Sequence, residues 1–240
     1  MSKQNKTYFN WSTGKDSSLA LYYIMKDQSF DIDLLFTSVN AHHNRVSMHG
    51  LRKELLEIQA NSIGIPLETL DLPENPSMDS YNEKMTVAVN QLTSKGFTDC
   101  VFGDIFLEDL RIYREEQLTP FGIKSHFPLW KQDTTELITK FIDLGFKAIV
   151  LSLNASVLDK SFLGRVIDHD FINDLPDNVD PCGENGEFHT FCFDGPIFKK
   201  PINFTKGEEV FKEYKSPTKD STKNIGFWFL DLIPNNTSSN

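Results

Sequence analysis

Cysteine is scarce in this 240-residue chain: only Cys100, Cys182 and Cys192 are present. Their spacing fits neither a disulfide framework nor a four-ligand zinc site. Long apolar runs are missing as well. The longest aliphatic stretch, Ala148-Ile149-Val150-Leu151, falls far short of the ~20 residues of a membrane span. Residues 1–6 carry no apolar core of a signal peptide. Positive charge is in deficit, with 24 Lys and Arg against 34 Asp and Glu and a net charge of −10. Such a balance repels nucleic acid and anionic membranes at long range. Internal repeats and low-complexity segments are absent. The chain therefore reads as a soluble cytoplasmic protein, and a homodimer is compatible with it. With 39% hydrophobic residues and 20 Phe, it has ample material for a core.

Residues 7–11, 32–39, 67–70, 100–103 and 148–153 read as strands. Between them, 17–26, the stripe Leu51, Leu55 and Ile58, 81–95 (ended by Gly96) and 134–144 (ended by Gly145) read as helices. Strands separated by single helices imply a parallel sheet with helices on both faces. After Pro176 the composition shifts to Gly, Pro and aromatics, with strands expected at 187–193 and 227–230. The fold class expected is α/β, with a smaller α+β part at the C-terminus. The division falls near Pro128, giving domains 1–128 and 129–240, and residues 234–240 read as a frayed tail.

Ser12-Thr13-Gly14-Lys15-Asp16-Ser17 follows the first strand and opens a helix. Gly14 is the residue expected to take a positive φ there. Successive N–H groups at a helix N-terminus form an anion site, to which Ser12 and Ser17 add hydroxyls and Lys15 a charge. The pattern is neither a Walker loop nor a dinucleotide fingerprint. A plain helix cap is the structural alternative, with Asp16 as a capping residue. The second dense cluster is Asp180-Pro181-Cys182-Gly183-Glu184-Asn185-Gly186-Glu187-Phe188-His189-Thr190-Phe191. In an extended segment Glu187 and His189 share a face, and the group could bind a metal, an ammonium or an amide. A polar hairpin turning at Asn185-Gly186 is the alternative.

The loop resembles that of the PP-loop ATP pyrophosphatases, usually Ser-Gly-Gly-x-Asp-Ser, with Thr13 here in place of the first Gly. The Gly-Glu-Asn-Gly-Glu-Phe-His-Thr run resembles the signature of the diphthine–ammonia ligase family. Further segments match that family: Gly103-Asp104-Ile105, Phe127-Pro128-Leu129-Trp130, Leu163-Gly164-Arg165 with Asp168, and 49–66 with Gln59. The resemblance implies an ATP-dependent amide ligase. It would adenylate a carboxylate, release pyrophosphate and take ammonium as nitrogen source. In the family's best-known case the carboxylate belongs to diphthine, a modified His on elongation factor 2. Residues 12–17 would bind the phosphates of ATP, Asp16 or Asp104 would hold Mg²⁺, and Gly103 would lie on the nucleotide side. Adenine would sit near Thr37, Ser38 and Val39. Glu184, Asn185, Glu187 and His189 would handle the acyl or ammonia half, with His189 or a Glu as the base. Other readings are a ligase for another small acid, a tRNA-modifying enzyme, or an ATP-binding module without chemistry. Cys100 is expected in the core and Cys182 in a structural role. His42, His43 and His49 would form one solvated loop cluster, with metal binding as the alternative. Arg111, Arg114 and Arg165 are candidate anion partners or salt bridges.

Overall fold

The computed structural model describes residues 6–28, 31–47, 49–74, 76–215 and 224–235. The expected tail at 234–240 lies outside them from residue 236 on. The first half builds a mostly parallel sheet from β1 (Lys6–Asn10), β2 (Leu34–Asn40), β3 (Arg45–Val46), β4 (Leu67–Leu72), β5 (Phe97–Val101) and β6 (Lys124–His126). Strand β1 lies between β2 and β5, β6 pairs with β5, and all these pairings are parallel. Strand β4 runs parallel to β2 along 35–40, while β3 pairs antiparallel with Val39 and Asn40. A strand has two edges, so β3 must take up the β1 edge of β2, beyond the point where β1 has ended.

Period-2 alternation sends the side chains of this sheet to two cores. Phe9, Leu35 and Val101 face one, together with α1 (Lys15–Asp27) and α2 (Lys53–Ile63). Tyr8, Leu34, Phe36 and Cys100 face the other, against Ala88, Val89 and Leu92 of α3 (Met78–Ser94) and Leu118 of α4 (Glu108–Leu118). Two helices end at the expected glycines, Gly96 and Gly145, and α2 ends likewise at Gly64; the three take positive φ values of 90°, 82° and 89°.

After α5 (Thr134–Asp143) the chain enters a four-stranded antiparallel sheet in the order β8-β7-β10-β9. Its strands are β7 (Lys147–Asn154), β8 (Phe188–Asp194), β9 (Phe204–Lys215) and β10 (Asn224–Pro234), with the short α6 (His169–Asp174) before β8. The strand expected at 148–153 therefore exists but belongs to this second sheet, not to the parallel set. The reason is visible in its burial: residues 148–153 are all buried, and a strand covered on both faces reads alike in either kind of sheet. The two parts share one continuous core, in which Phe9 and Leu35 belong to the same cluster as Ile149, Leu151 and Phe191.

Candidate functional site

The loop after β1 packs against the open edge of β8. Helix α1 begins at Lys15 with Gly14 as its N-cap, and Ser18 N donates to the Gly14 carbonyl at 3.1 Å. The N–H groups of Asp16 and Ser17 thus lie ahead of the first intrahelical bond, in the position that receives anions. The Ser12 and Ser17 hydroxyls are 2.7 Å apart, and Ser17 Oγ also accepts from Ser12 N. Positive φ falls on Thr13, at 74°, while Gly14 is extended at φ −86°. This corrects the expectation that Gly14 carries the unusual dihedral. What Gly14 supplies is closeness: a Cβ there would stand 3.3 Å from the Thr190 carbonyl and 3.5 Å from Ser12 Oγ. Asp16 is not a cap either. Its carboxylate lies 2.7 Å from Lys15 Nζ.

Three contacts join the loop to the second motif. Lys15 N donates to Thr190 Oγ1 at 3.1 Å, Lys15 Nζ donates to the Cys182 carbonyl, and Cys192 N donates to the Thr13 carbonyl at 3.0 Å. Gln59 on α2 locks the joint. It is fully buried, accepts from Trp11 Nε1 at 2.7 Å, and donates to the Thr13 and Cys192 carbonyls at 3.0 and 2.6 Å. Its part could not be read from the sequence, because one partner lies 133 positions away.

Within the second motif the four residues singled out have different surroundings. Glu184 Oε1 accepts from Ile105 N at 2.8 Å, so the motif is tied to the Gly103-Asp104-Ile105 segment. Gly103 itself packs on the start of α1, where a Cβ would meet Ser17 N at 2.9 Å. Burial, reinforced by Asp16, raises the Glu184 carboxyl to about 7. Glu187 is buried. Its Oε1 accepts from Asp180 N and Asn185 Nδ2, both at 3.1 Å, while Oε2 has no partner. Asn185 is exposed, and its Nδ2 is spent on this internal bond. Gly183 and Gly186 turn the loop at φ 67° and 83°. The hairpin alternative thus accounts for Asn185 and part of Glu187, and leaves Glu184 and His189 free for other work.

His189 stacks on His49, with ring centroids 4.6 Å apart and planes at 25°. Burial first, then Lys15, lowers His189 to about 4, and burial with His189 and Lys15 holds His49 well below the ordinary imidazole range. Both rings are neutral at pH 7. Register places Ser152 of β7 directly opposite His189, and the Ser152 hydroxyl is buried without a partner, as is His49 Nδ1. The expected cluster of three histidines is thereby divided: His49 belongs to the junction, while His42 and His43 stay on the surface.

Other residues have structural roles. Asp104 pairs with Arg114: Oδ1 accepts from Nη2 at 3.1 Å, while Oδ2 lies 2.7 Å from Nε without a hydrogen bond between them. Arg111 pairs with Glu115 and lies over Phe127 and Trp130. Arg165 pairs with Asp174 at 2.8 Å and lies over Phe162 and Phe171, and Asp168 caps α6. The Ser38 carbonyl accepts from Ser47 N at 3.0 Å. Thr37 is closer to the loop, donating to the Trp11 carbonyl at 2.8 Å. The Cys182 thiol is buried and points at the Thr134 carbonyl, and Cys100 is fully buried and pushed up to about 12 by burial.

Two family models match along the chain. The diphthamide synthase N-terminal domain covers residues 5–125 and the diphthamide synthase C-terminal domain covers 133–219. The chain belongs to the diphthamide synthase family. Among curated relatives, a diphthine–ammonia ligase of Danio rerio is 25% identical over 177 residues, 65% of this chain and 68% of its own. The Homo sapiens protein of that name is 32% identical over 113 residues, 45% of this chain and 42% of its own. One from Schizosaccharomyces pombe is 33% identical over 93 residues, 37% of this chain and 15% of its own. The matched stretch is thus less than half the length of the human and fission-yeast relatives. Among the described residues no helix is long and apolar enough to cross a membrane.

Proposed function

We propose that the chain is an ATP-dependent ligase that adenylates a carboxylate and replaces AMP by ammonia, with diphthine as the carboxylate substrate. The observation that carries this reading is the junction itself. A phosphate loop and a carboxylate-bearing run, 167 positions apart at Lys15 and Cys182, are hydrogen-bonded into one site. An ATP-binding module without chemistry has no use for the second half. The division of the chain at residue 128 falls in the segment between β6 and α5, and we retain it as part of the proposal.

The loop holds the phosphates with the first N–H groups of α1, the Ser12 and Ser17 hydroxyls and Lys15. Burial opposes the charge on the Lys15 ammonium, but Asp16 beside it, the Cys182 carbonyl and Glu184 keep it. Those donors stabilise charge as it grows on the departing pyrophosphate, so they act where the barrier lies. Asp16 gives both oxygens to Lys15 Nζ, and Asp104 Oδ2 is buried beside Arg114 without a hydrogen-bond partner, so both carboxylates stay in the proposal as holders of Mg²⁺. Burial raises the Asp16 carboxyl even against the pull of Lys15. Bound there with phosphate oxygens, Mg²⁺ would neutralise their charge. Thr37 rather than Ser38 lies closer to the loop on the adenine side.

Ammonium must lose a proton before it can attack the acyl-adenylate. His189, at about 4, is a weak base at neutral pH, whereas Glu184, at about 7, is matched to the task. We assign the base to Glu184. His189 and His49 contribute a neutral stacked pair to the junction.

The test is a reaction of ATP, ammonium and elongation factor 2 carrying diphthine, followed by release of pyrophosphate and AMP and by the mass of the product. Carboxylate-dependent pyrophosphate release and a product amide are expected. ADP with phosphate as products, or turnover indifferent to the carboxylate, would overturn the reading.

A further inference from the structure

The surface histidines left over by the junction meet a glutamate from another loop. We infer that His42, His43 and Glu74 form a site for a borderline divalent metal ion such as zinc, across the ends of β2 and β4. The inference is independent of the ligase reading.

One ligand atom from each of the three residues lies within 4.8 Å of the others. His43 Nε2 and Glu74 Oε1 are 3.2 Å apart. Zinc bonds of about 2.1 Å at tetrahedral angles separate ligand atoms by roughly 3.4 Å, so this pair already stands at coordination spacing. The His42 ring lies across that of His43, with centroids 4.8 Å apart and planes at 82°. It is exposed, and its ligand atom lies within 4.8 Å of the other two.

The backbone beneath is fixed by one residue. Asn40, the last of β2, donates through Nδ2 to the Glu74 carbonyl at 3.0 Å and accepts from His43 N at 3.0 Å through Oδ1. Ala41 N adds a bond to the Leu72 carbonyl at 2.9 Å. The two loops are therefore clamped together below the ligands, which lowers the entropy lost when an ion is bound. Two imidazoles and one carboxylate favour zinc, nickel or copper over magnesium or calcium, and a fourth position remains for water.

The experiment titrates tag-free full-length protein with zinc against a chromophoric chelator, and with cobalt for its visible absorption. One ion per chain is expected, with a tetrahedral cobalt band. His43→Ala and Glu74→Gln should each weaken zinc by about tenfold or more and abolish the band, while His169→Ala, which pairs with Asp143 outside the cluster, should leave both unchanged. All three side chains are exposed, so the variants will fold. Absence of stoichiometric binding in the wild type, or binding unaltered in His43→Ala, would overturn the site. A shared loss in His169→Ala would do the same, since it would point to scattered histidine binding.

Discussion

In the loop at 12–17 side chains hold the backbone, whereas in the run at 180–189 the backbone holds side chains. Ser12, Ser17, Thr190 and Gln59 spend their polar atoms on main-chain groups or one another and so shape the loop. In the second run, Ile105 N fixes the Glu184 carboxylate and Asp180 N fixes that of Glu187. An anion is best met by a rigid array of N–H groups, which is a matter of shape. A cationic nucleophile is met by a placed charge whose pKa can be set by burial. Substitutions in the first region should therefore act through geometry and stability, and those in the second through charge and pH.

The largest effect is expected at the hinge between the two. Gln59→Leu removes the amide that satisfies Trp11 Nε1 and the Thr13 and Cys192 carbonyls. Each buried group left unpaired costs about 1–3 kcal/mol, so a loss of roughly 3–5 kcal/mol is expected in urea denaturation. A change below about 1 kcal/mol would show that Gln59 does not hold the loop to β8, and the contrast would lose its joint.

Next is the charge itself. Glu184→Gln keeps the acceptor for Ile105 N but removes the base, and amide formation should fall about a hundredfold. In the wild type the rate should rise with pH through about 7, and in the variant that rise should vanish. Stability gives a second readout with a fixed sign. The folded carboxyl holds its proton from about pH 4.5 up to about 7, where the unfolded one has lost it. Glu184 thus makes stability decline as pH rises through that window. The variant should be more stable than the wild type at pH 8, on the order of 1–3 kcal/mol, with the difference vanishing below about pH 4.5. His189 contributes the opposite slope between about 4 and 6.5, but equally in both proteins. An unchanged pH profile would assign the base elsewhere.

The contrast also explains what could be read from the residues. Strands β1, β2, β5, β7 and β8 and helices α1, α3 and α5 show their periodicity locally and lie within a few residues of expectation. Strand β9 escaped notice because it is an edge strand with little burial, and Lys206-Gly207-Glu208-Glu209 breaks its apolar alternation. Helix α4 escaped because Leu118 is its only buried residue. The loop was legible because a phosphate turn is made by neighbours in sequence. The separation of His49 from His42 and His43 was not, since it depends on His189, brought in by a different sheet.

The smallest effect bears on whether the loop is pure shape. Thr13 holds φ 74° with its side chain buried and its hydroxyl without a partner. An L residue in the left-handed region carries about 1–2 kcal/mol of strain. Thr13→Gly relieves that strain but loosens the unfolded chain and removes a buried methyl, which together cost a similar amount. The net change should stay within about 1 kcal/mol, with ATP affinity within about threefold. Thr13→Val keeps the branched bulk and the strain and replaces the hydroxyl by a methyl. If that hydroxyl is merely orphaned, its loss should stabilise the fold by about 1 kcal/mol and leave ATP binding alone. If Thr13→Val instead weakens ATP binding tenfold while Thr13→Gly does not, the added apolar methyl is obstructing the site. If both weaken it, the hydroxyl contacts the phosphates, and the loop uses side-chain chemistry as well as shape.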